Sequence, residues 1–158
     1  ELGTSPEQGS FALTVFFSIG IFMTYIGGLL GDKYGPIKII RLSLLIWLPS
    51  MFLLTQVPEF SVTIMMPLAY LILLMIGAAK AISYSPVIVL GQTYLAKSIG
   101  FASGITLGVS QTIGGIIAPV VGNLADTYSL PAAMMTLVPF LVIGLGASLL
   151  LKDPKKLQ

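Results

Sequence analysis

Charged residues divide the chain into long uncharged runs at 8–31, 42–58, 60–79, 81–96, 98–125 and 127–151. A helix that crosses a bilayer needs about 20 mostly apolar residues, because a hydrocarbon core of roughly 30 Å is traversed at 1.5 Å per residue. Four of the interruptions read as loops, whereas Lys80 is an isolated charge that either opens a loop, giving six spans, or lies inside one long helix, giving five. The tendency of Lys and Arg near span ends to stay on the cytoplasmic side decides between them. With five spans, Lys33, Lys38, Arg41, Lys97, Lys152, Lys155 and Lys156 share one side, and the other carries only Glu1, Glu7, Glu59 and Asp126. With six, the basic residues divide evenly between the two sides. The pattern therefore predicts an all-α, polytopic membrane protein with spans at about 10–31, 37–56, 63–92, 99–124 and 130–151. It places the N-terminus outside, the C-terminus in the cytoplasm and Lys80 within the membrane.

Composition agrees: 56% of residues are hydrophobic and 9% charged, against roughly 25% charged in a soluble domain, and mean hydropathy is +0.99. The net charge of +2 is too small and too scattered to suggest nucleic acid as a partner. With no His and no Cys, thiol nucleophiles, imidazole bases, disulfides and the usual zinc sites are excluded, and no cofactor is expected. An external N-terminus without a signal-peptide pattern leads to the expectation of a piece of a longer protein, with at least one further helix upstream. Pro36 and Pro131 fall at span starts, where a missing N–H costs nothing. Pro49, Pro86, Pro119 and Pro139 fall inside spans, where kinks are expected.

The first span ends in Gly28-x-x-x-Asp32-x-Tyr34 and the fourth in Gly122-x-x-x-Asp126-x-Tyr128, an offset of 94 residues and three spans. Three being odd, the two copies point to opposite sides of the membrane, as in the inverted repeats of secondary transporters. Gly28-x-x-x-Asp32-Lys33-x-Gly35-x-x-Lys38 resembles the cytoplasmic loop signature of the major facilitator superfamily, with Pro36 where that signature usually has a basic residue. Leu90-Gly91-Gln92-x-Tyr94-Leu95, Gly100-x-Ala102-Ser103-Gly104-x-Thr106-Leu107-Gly108, Gly114-Gly115-x-x-Ala118-Pro119 and Gly122-x-Leu124-Ala125-Asp126 resemble its fosmidomycin-resistance-type efflux proteins. The resemblance implies that residues 1–158 form helices eight to twelve of twelve, a partial C-terminal six-helix bundle lacking its first helix and the whole N-terminal half. It implies that the first, third and fourth spans line a central cavity while the second and fifth face lipid, with Trp47 as lipid-facing packing. The polar residues Ser18, Thr24, Tyr25, Lys80, Ser83, Tyr84, Thr106, Ser110, Gln111 and Thr112 all lie in the first, third and fourth spans.

Lys80 is the leading candidate for substrate contact. It sits about 18 Å or more from either helix end, farther than a lysine stem can snorkel. A charge there should face a hydrated cavity or an anion, and a phosphonate would suit it. Ser83 and Tyr84 follow at i+3 and i+4 and share its face; Ser110, Gln111 and Tyr25 complete the candidate pathway. The structural alternative makes Lys80 a partner of backbone carbonyls freed by Pro86, or of an acid on a helix outside the chain. Gly100, Gly104, Gly108, Gly115 and Gly122 form a stripe suited to close helix packing. Gly28, Asp32, Lys33, Gly35 and Lys38 are, by resemblance, a cytoplasmic gate, with Asp32 latching the two halves of the transporter; the basic residues equally serve as topology anchors.

The expected function is secondary active transport by alternating access: proton-coupled efflux, as an antiporter, of a small organic molecule or drug through a bacterial-type inner membrane. The expected partners are that substrate, protons, the lipid bilayer and the absent N-terminal half. A membrane enzyme would need a Ser–His pair, paired carboxylates or a metal site at depth, and neither His nor any Asp or Glu lies deep in a span. A channel or receptor built on a transporter scaffold stays open as the alternative.

Overall fold

The computed structural model describes residues 6–56 and 62–152; Glu1, Glu59, Lys155 and Lys156 lie outside them. Among the described residues six helices follow in order: α1 (Pro6–Tyr34), α2 (Pro36–Gln56), α3 (Val62–Tyr94), α4 (Ile99–Thr127), α5 (Leu130–Met135) and α6 (Val138–Leu150), with a 3-10 turn at Ala96–Ser98. They supply five segments long and apolar enough to cross a membrane, and Lys80 lies inside the third, Pro67–Tyr94. Helices are what such a composition must form, since a bilayer offers no water to satisfy open backbone groups. Hydroxyl side chains obey the same constraint by bonding their own helix: Ser43 Oγ donates to Ile40 O at 2.8 Å, Ser50 Oγ to Ile46 O at 2.7 Å and Thr55 Oγ1 to Phe52 O at 2.7 Å. Among the described residues no buried side-chain polar atom lacks a partner.

The fifth span is not one kinked helix. α5 stops at Met135, Thr136 and Leu137 form a turn, and α6 starts at Val138 with Pro139 in its first turn. Pro139 has no N–H to return to the Met135 carbonyl and its ring crowds that carbonyl, so the helix restarts there. Pro49, Pro67, Pro86 and Pro119 are carried inside continuous helices.

α3 is the hub, packing against α1, α2 and α4, while α2 also meets α5 and α6. The main core cluster joins Met51 of α2 to Ala69, Ile72 and Ile76 of α3, with Phe16, Trp47, Met134 and Leu141 packed around it. The reading of α2 as a lipid-facing helix is thereby made more specific. Trp47 is half-buried in protein, and the helix is two-faced: Ile39, Ser43, Ser50 and Met51 are buried while Leu42, Leu45, Phe52 and Leu53 are exposed. α4 leans on α3, on the 3-10 turn and on α5, and leaves most of its length open.

One end of the bundle is tied by polar contacts. Arg41 Nε and Nη2 donate to Ser148 O at 3.1 and 2.8 Å, and Nη2 also to Leu149 O at 3.3 Å. These are last-turn carbonyls of α6 without helical partners, at the negative end of its dipole. Tyr94 Oη donates to Lys152 O at 2.5 Å, and Ile37, Ile40 and Leu90 form a second buried cluster beneath. Lys33, Lys38, Arg41 and Lys152 thus gather at the end where α1, α3 and α6 finish. Arg41→Ala should lower the stability of the full-length protein by about 1.5–3 kcal/mol, the range for losing hydrogen bonds to a charged group. Thermal unfolding in detergent measures it, and Arg41→Lys should recover only part, since one ammonium cannot reproduce the guanidinium fork.

Candidate functional site

The site begins with how closely α1 approaches α3. Pro86 has no N–H, so the carbonyl of Ile82 one turn earlier loses its helical donor. Gly27 of α1 packs directly on that carbonyl: a Cβ built at Gly27 collides with Ile82 O and comes within 2.8 Å of its carbonyl carbon and Cα. The seam continues at the next residue and one turn on: a Cβ built at Gly28 would lie 3.2 Å from Ser85 Oγ, and one built at Gly31 3.1 Å from Pro86 Cγ. At the other end Gly77 of α3 receives the ring of Phe16, whose Cδ2 lies 2.9 Å from a built Cβ. Such contact needs residues without side chains, as in close membrane-helix pairs generally.

Between these contacts the two helices part into an open groove of about 240 Å³ lined by Phe16, Phe17, Gly20, Ile21, Thr24, Gly77, Lys80, Ala81 and Tyr84. Lys80 and Tyr84 meet here as their i, i+4 spacing predicts. Lys80 is exposed, and among the described residues no side chain pairs with its ammonium. Gly27 packs on the carbonyl freed by Pro86, and among the described residues the Lys80 ammonium donates no hydrogen bond to it. Ser83 does not line the groove; its Oγ donates to Lys80 O at 2.9 Å. Thr24, in turn, donates to Gly20 O at 2.8 Å and keeps its oxygen lone pairs for the groove.

The remaining pathway candidates are not brought to Lys80 within this chain. Tyr25 is 70% exposed on α1 and lies outside the groove lining. Ser110 and Gln111 are exposed on α4, which makes no contact with α1, and Ser110 Oγ is bonded to Thr106 O at 2.5 Å. Gly100, Gly104, Gly108, Gly115 and Gly122 have nothing within 4 Å of a built Cβ among the described residues. α4 is instead fixed at its start, where a Cβ built at Gly91 would lie 2.7 Å from Thr106 Oγ1 and Gln92 Nε2 donates to Ser103 Oγ at 2.9 Å. The glycines that do lie close against a neighbouring helix are Gly27, Gly31, Gly28, Gly77 and Gly91. The sequence signal for the first two was the Gly27-x-x-x-Gly31 spacing, masked by the overlapping loop signature.

That signature sits at the basic end. Gly35 has φ +94°, the one positive φ among the described residues, and its N–H closes on Gly31 O at 2.9 Å. A glycine there ends α1 and Pro36 starts α2 at once, so the second glycine of the signature has a backbone reason. Asp32, Lys33, Gly35 and Lys38 line a cavity of about 300 Å³ closed on its far side by Val89 and Thr93 of α3. Gly28 lies a turn deeper, in the α1–α3 seam. Asp32 and Lys38 are exposed, and the Lys33 ammonium lies 5.2 Å from the centre of the Tyr34 ring. The echo of the signature closes α4 at the opposite end with different chemistry: Ser129 Oγ accepts from Ala132 N at 3.3 Å as the N-cap of α5.

Known proteins resemble this chain over most of its length. It is 33% identical over 151 residues to the uncharacterized MFS-type transporter YfnC of Bacillus subtilis, covering 96% of this chain and 35% of that protein. It is 30% identical over 135 residues to the fosmidomycin resistance protein of Escherichia coli, covering 82% of this chain and 30% of that one. The chain thus spans about a third of the length of these curated relatives. No solved structure matches it. The model of the Major Facilitator Superfamily matches residues 1–158, and the five long apolar helices are consistent with it; the chain belongs to this superfamily of membrane transporters.

Proposed function

We propose that residues 1–158 are helices eight to twelve of a twelve-helix secondary transporter that exports a small organic anion in exchange for protons. The observation that carries the reading is Lys80: a cation in the middle of a membrane-spanning helix, lining an open groove and paired with no side chain among the described residues. A charge in hydrocarbon is costly and persists where it meets water, an anion or a moving proton. The relative named for fosmidomycin resistance supports drug efflux as the direction. On this reading the basic end faces the cytoplasm of an inner membrane. The open glycine face of α4 packs against the rest of the transporter, and Tyr25, Ser110 and Gln111 reach the pathway once those helices enclose it. A carboxylate that carries the proton belongs to the helices outside this chain, since no Asp or Glu lies deep in its spans.

Full-length protein in sealed vesicles under an imposed pH gradient, challenged with a panel of anions, cations and neutral drugs, tests the reading. An anion should trigger proton movement; movement triggered only by cations would overturn the assignment. Asp32, as part of a latch at the cytoplasmic end, should govern turnover: Asp32→Asn should reduce transport rate at least tenfold and change substrate affinity less than threefold. Equal loss of both would argue against a gate.

A further inference from the structure

The composition of the α1–α3 groove specifies more than a sign of charge. Among the described residues Lys80 is the sole charge within the membrane-spanning segments away from their ends. Its neighbours in the groove add little polarity. The Tyr84 hydroxyl can donate, whereas the Thr24 hydroxyl proton is committed to Gly20 O and leaves only acceptor capacity. The rest of the lining is apolar, dominated by Phe17, Ile21 and Ala81, and Phe17 stands edge-on to Phe16 with ring centres 5.6 Å apart and planes at 86°.

Resting on the reading of Lys80 as the anion site, we propose that this groove selects a lipophilic monoanion: one carboxylate-like group on an aromatic or branched apolar body. A compact multiply charged anion such as a phosphonate dianion is the poorer fit. One ammonium and one phenol can satisfy the two oxygens of a carboxylate and neutralise its single charge. Against the lining of this groove a dianion would find no second cation for its second charge and no further donor for its third oxygen, since the remaining wall is apolar. The apolar body has its own place, since aromatic walls around a few fixed polar groups are how ligand pockets combine affinity with orientation. Gly20 keeps that place open: a Cβ built there meets only Ala81 Cβ at 4.0 Å, so a larger side chain at 20 would extend into the groove.

The test measures equilibrium binding to purified full-length protein at pH 8 with four probes: 2-naphthoate, 2-naphthylphosphonate, 2-naphthamide and acetate. 2-Naphthoate should bind at least tenfold more tightly than each of the others. Lys80→Met should reduce 2-naphthoate binding to the level of 2-naphthamide, and Lys80→Gln serves if the Met variant does not fold. Gly20→Val should weaken 2-naphthoate at least fivefold while leaving Lys80 in place. If 2-naphthylphosphonate binds more tightly than 2-naphthoate and does so through Lys80, the anion site stands and the monoanion class is overturned. If no anion depends on Lys80, the underlying reading of the site falls with it.

Discussion

Gly27→Val should prevent the full-length protein from accumulating in folded form, and Gly27→Ala should lower its melting temperature and its activity together. The neighbour of Gly27 is backbone: even a methyl group there collides with the Ile82 carbonyl, which cannot turn aside as a flexible side chain can. Either α1 retreats from α3, opening the seam at Gly28 and Gly31 as well, or α3 bends further at Pro86. Overpacking of this kind costs about 1–3 kcal/mol for one or two methyl groups and more where backbone must move. Retreat would also uncover the Ile82 carbonyl, which Pro86 has deprived of its helical donor and which now rests against the Gly27 Cα. Gly146→Ala is the matched control. It lies in α6 with nothing within 4 Å of a built Cβ, and Ala is favoured over Gly in a helix by about 1 kcal/mol. Detergent-solubilised yield by fluorescence size exclusion and thermal unfolding should separate the two; equal behaviour would mean that the α1–α3 seam is not as tight as described.

Lys80→Met should do the reverse, raising stability while removing function. Replacing a central lysine by an apolar residue of similar length relieves a cost that membrane-insertion scales put at about 2.5–3.5 kcal/mol. It breaks no side-chain pairing among the described residues. A lysine that held the scaffold by bonding carbonyls or an acid elsewhere would give the opposite sign, because removing it would strand its partner. A Lys80→Met protein that melts at or above the wild-type temperature, yet has lost anion binding tenfold or more, identifies a functional charge. A protein that melts lower and binds normally identifies a structural one.

Much of the architecture was legible because it follows from coarse physics. The one-sided placement of Lys33, Lys38, Arg41, Lys97 and Lys152 decided that Lys80 is intramembrane, and the third span indeed runs through it. What was not legible follows from the same physics. Lipid tails are as apolar as leucine, so an apolar span does not announce whether it faces lipid or protein. That is why α2 read as lipid-facing although Ile39 and Met51 are buried against its neighbours. The break at Thr136 and Leu137 escaped because Pro49, Pro86 and Pro119 are tolerated inside helices and nothing local marks Pro139 as different. At the site, the i, i+4 pairing of Lys80 with Tyr84 was predictable. The contributions of Gly20, Thr24 and Phe17 were not, because they depend on which face of α1 meets α3, and that is set by Gly27 on the Ile82 carbonyl.

Whether Lys80 places an anion in the transport pathway is tested by one comparison. Full-length wild type and Lys80→Met, reconstituted side by side in sealed vesicles, are given an imposed pH gradient and 2-naphthoate, and proton movement is recorded. Anion-triggered flux should appear in the wild type and be lost in the variant, with both proteins equally folded and inserted. Flux of equal size in both would contradict that expectation, leaving a transporter whose central lysine has no part in carrying the substrate.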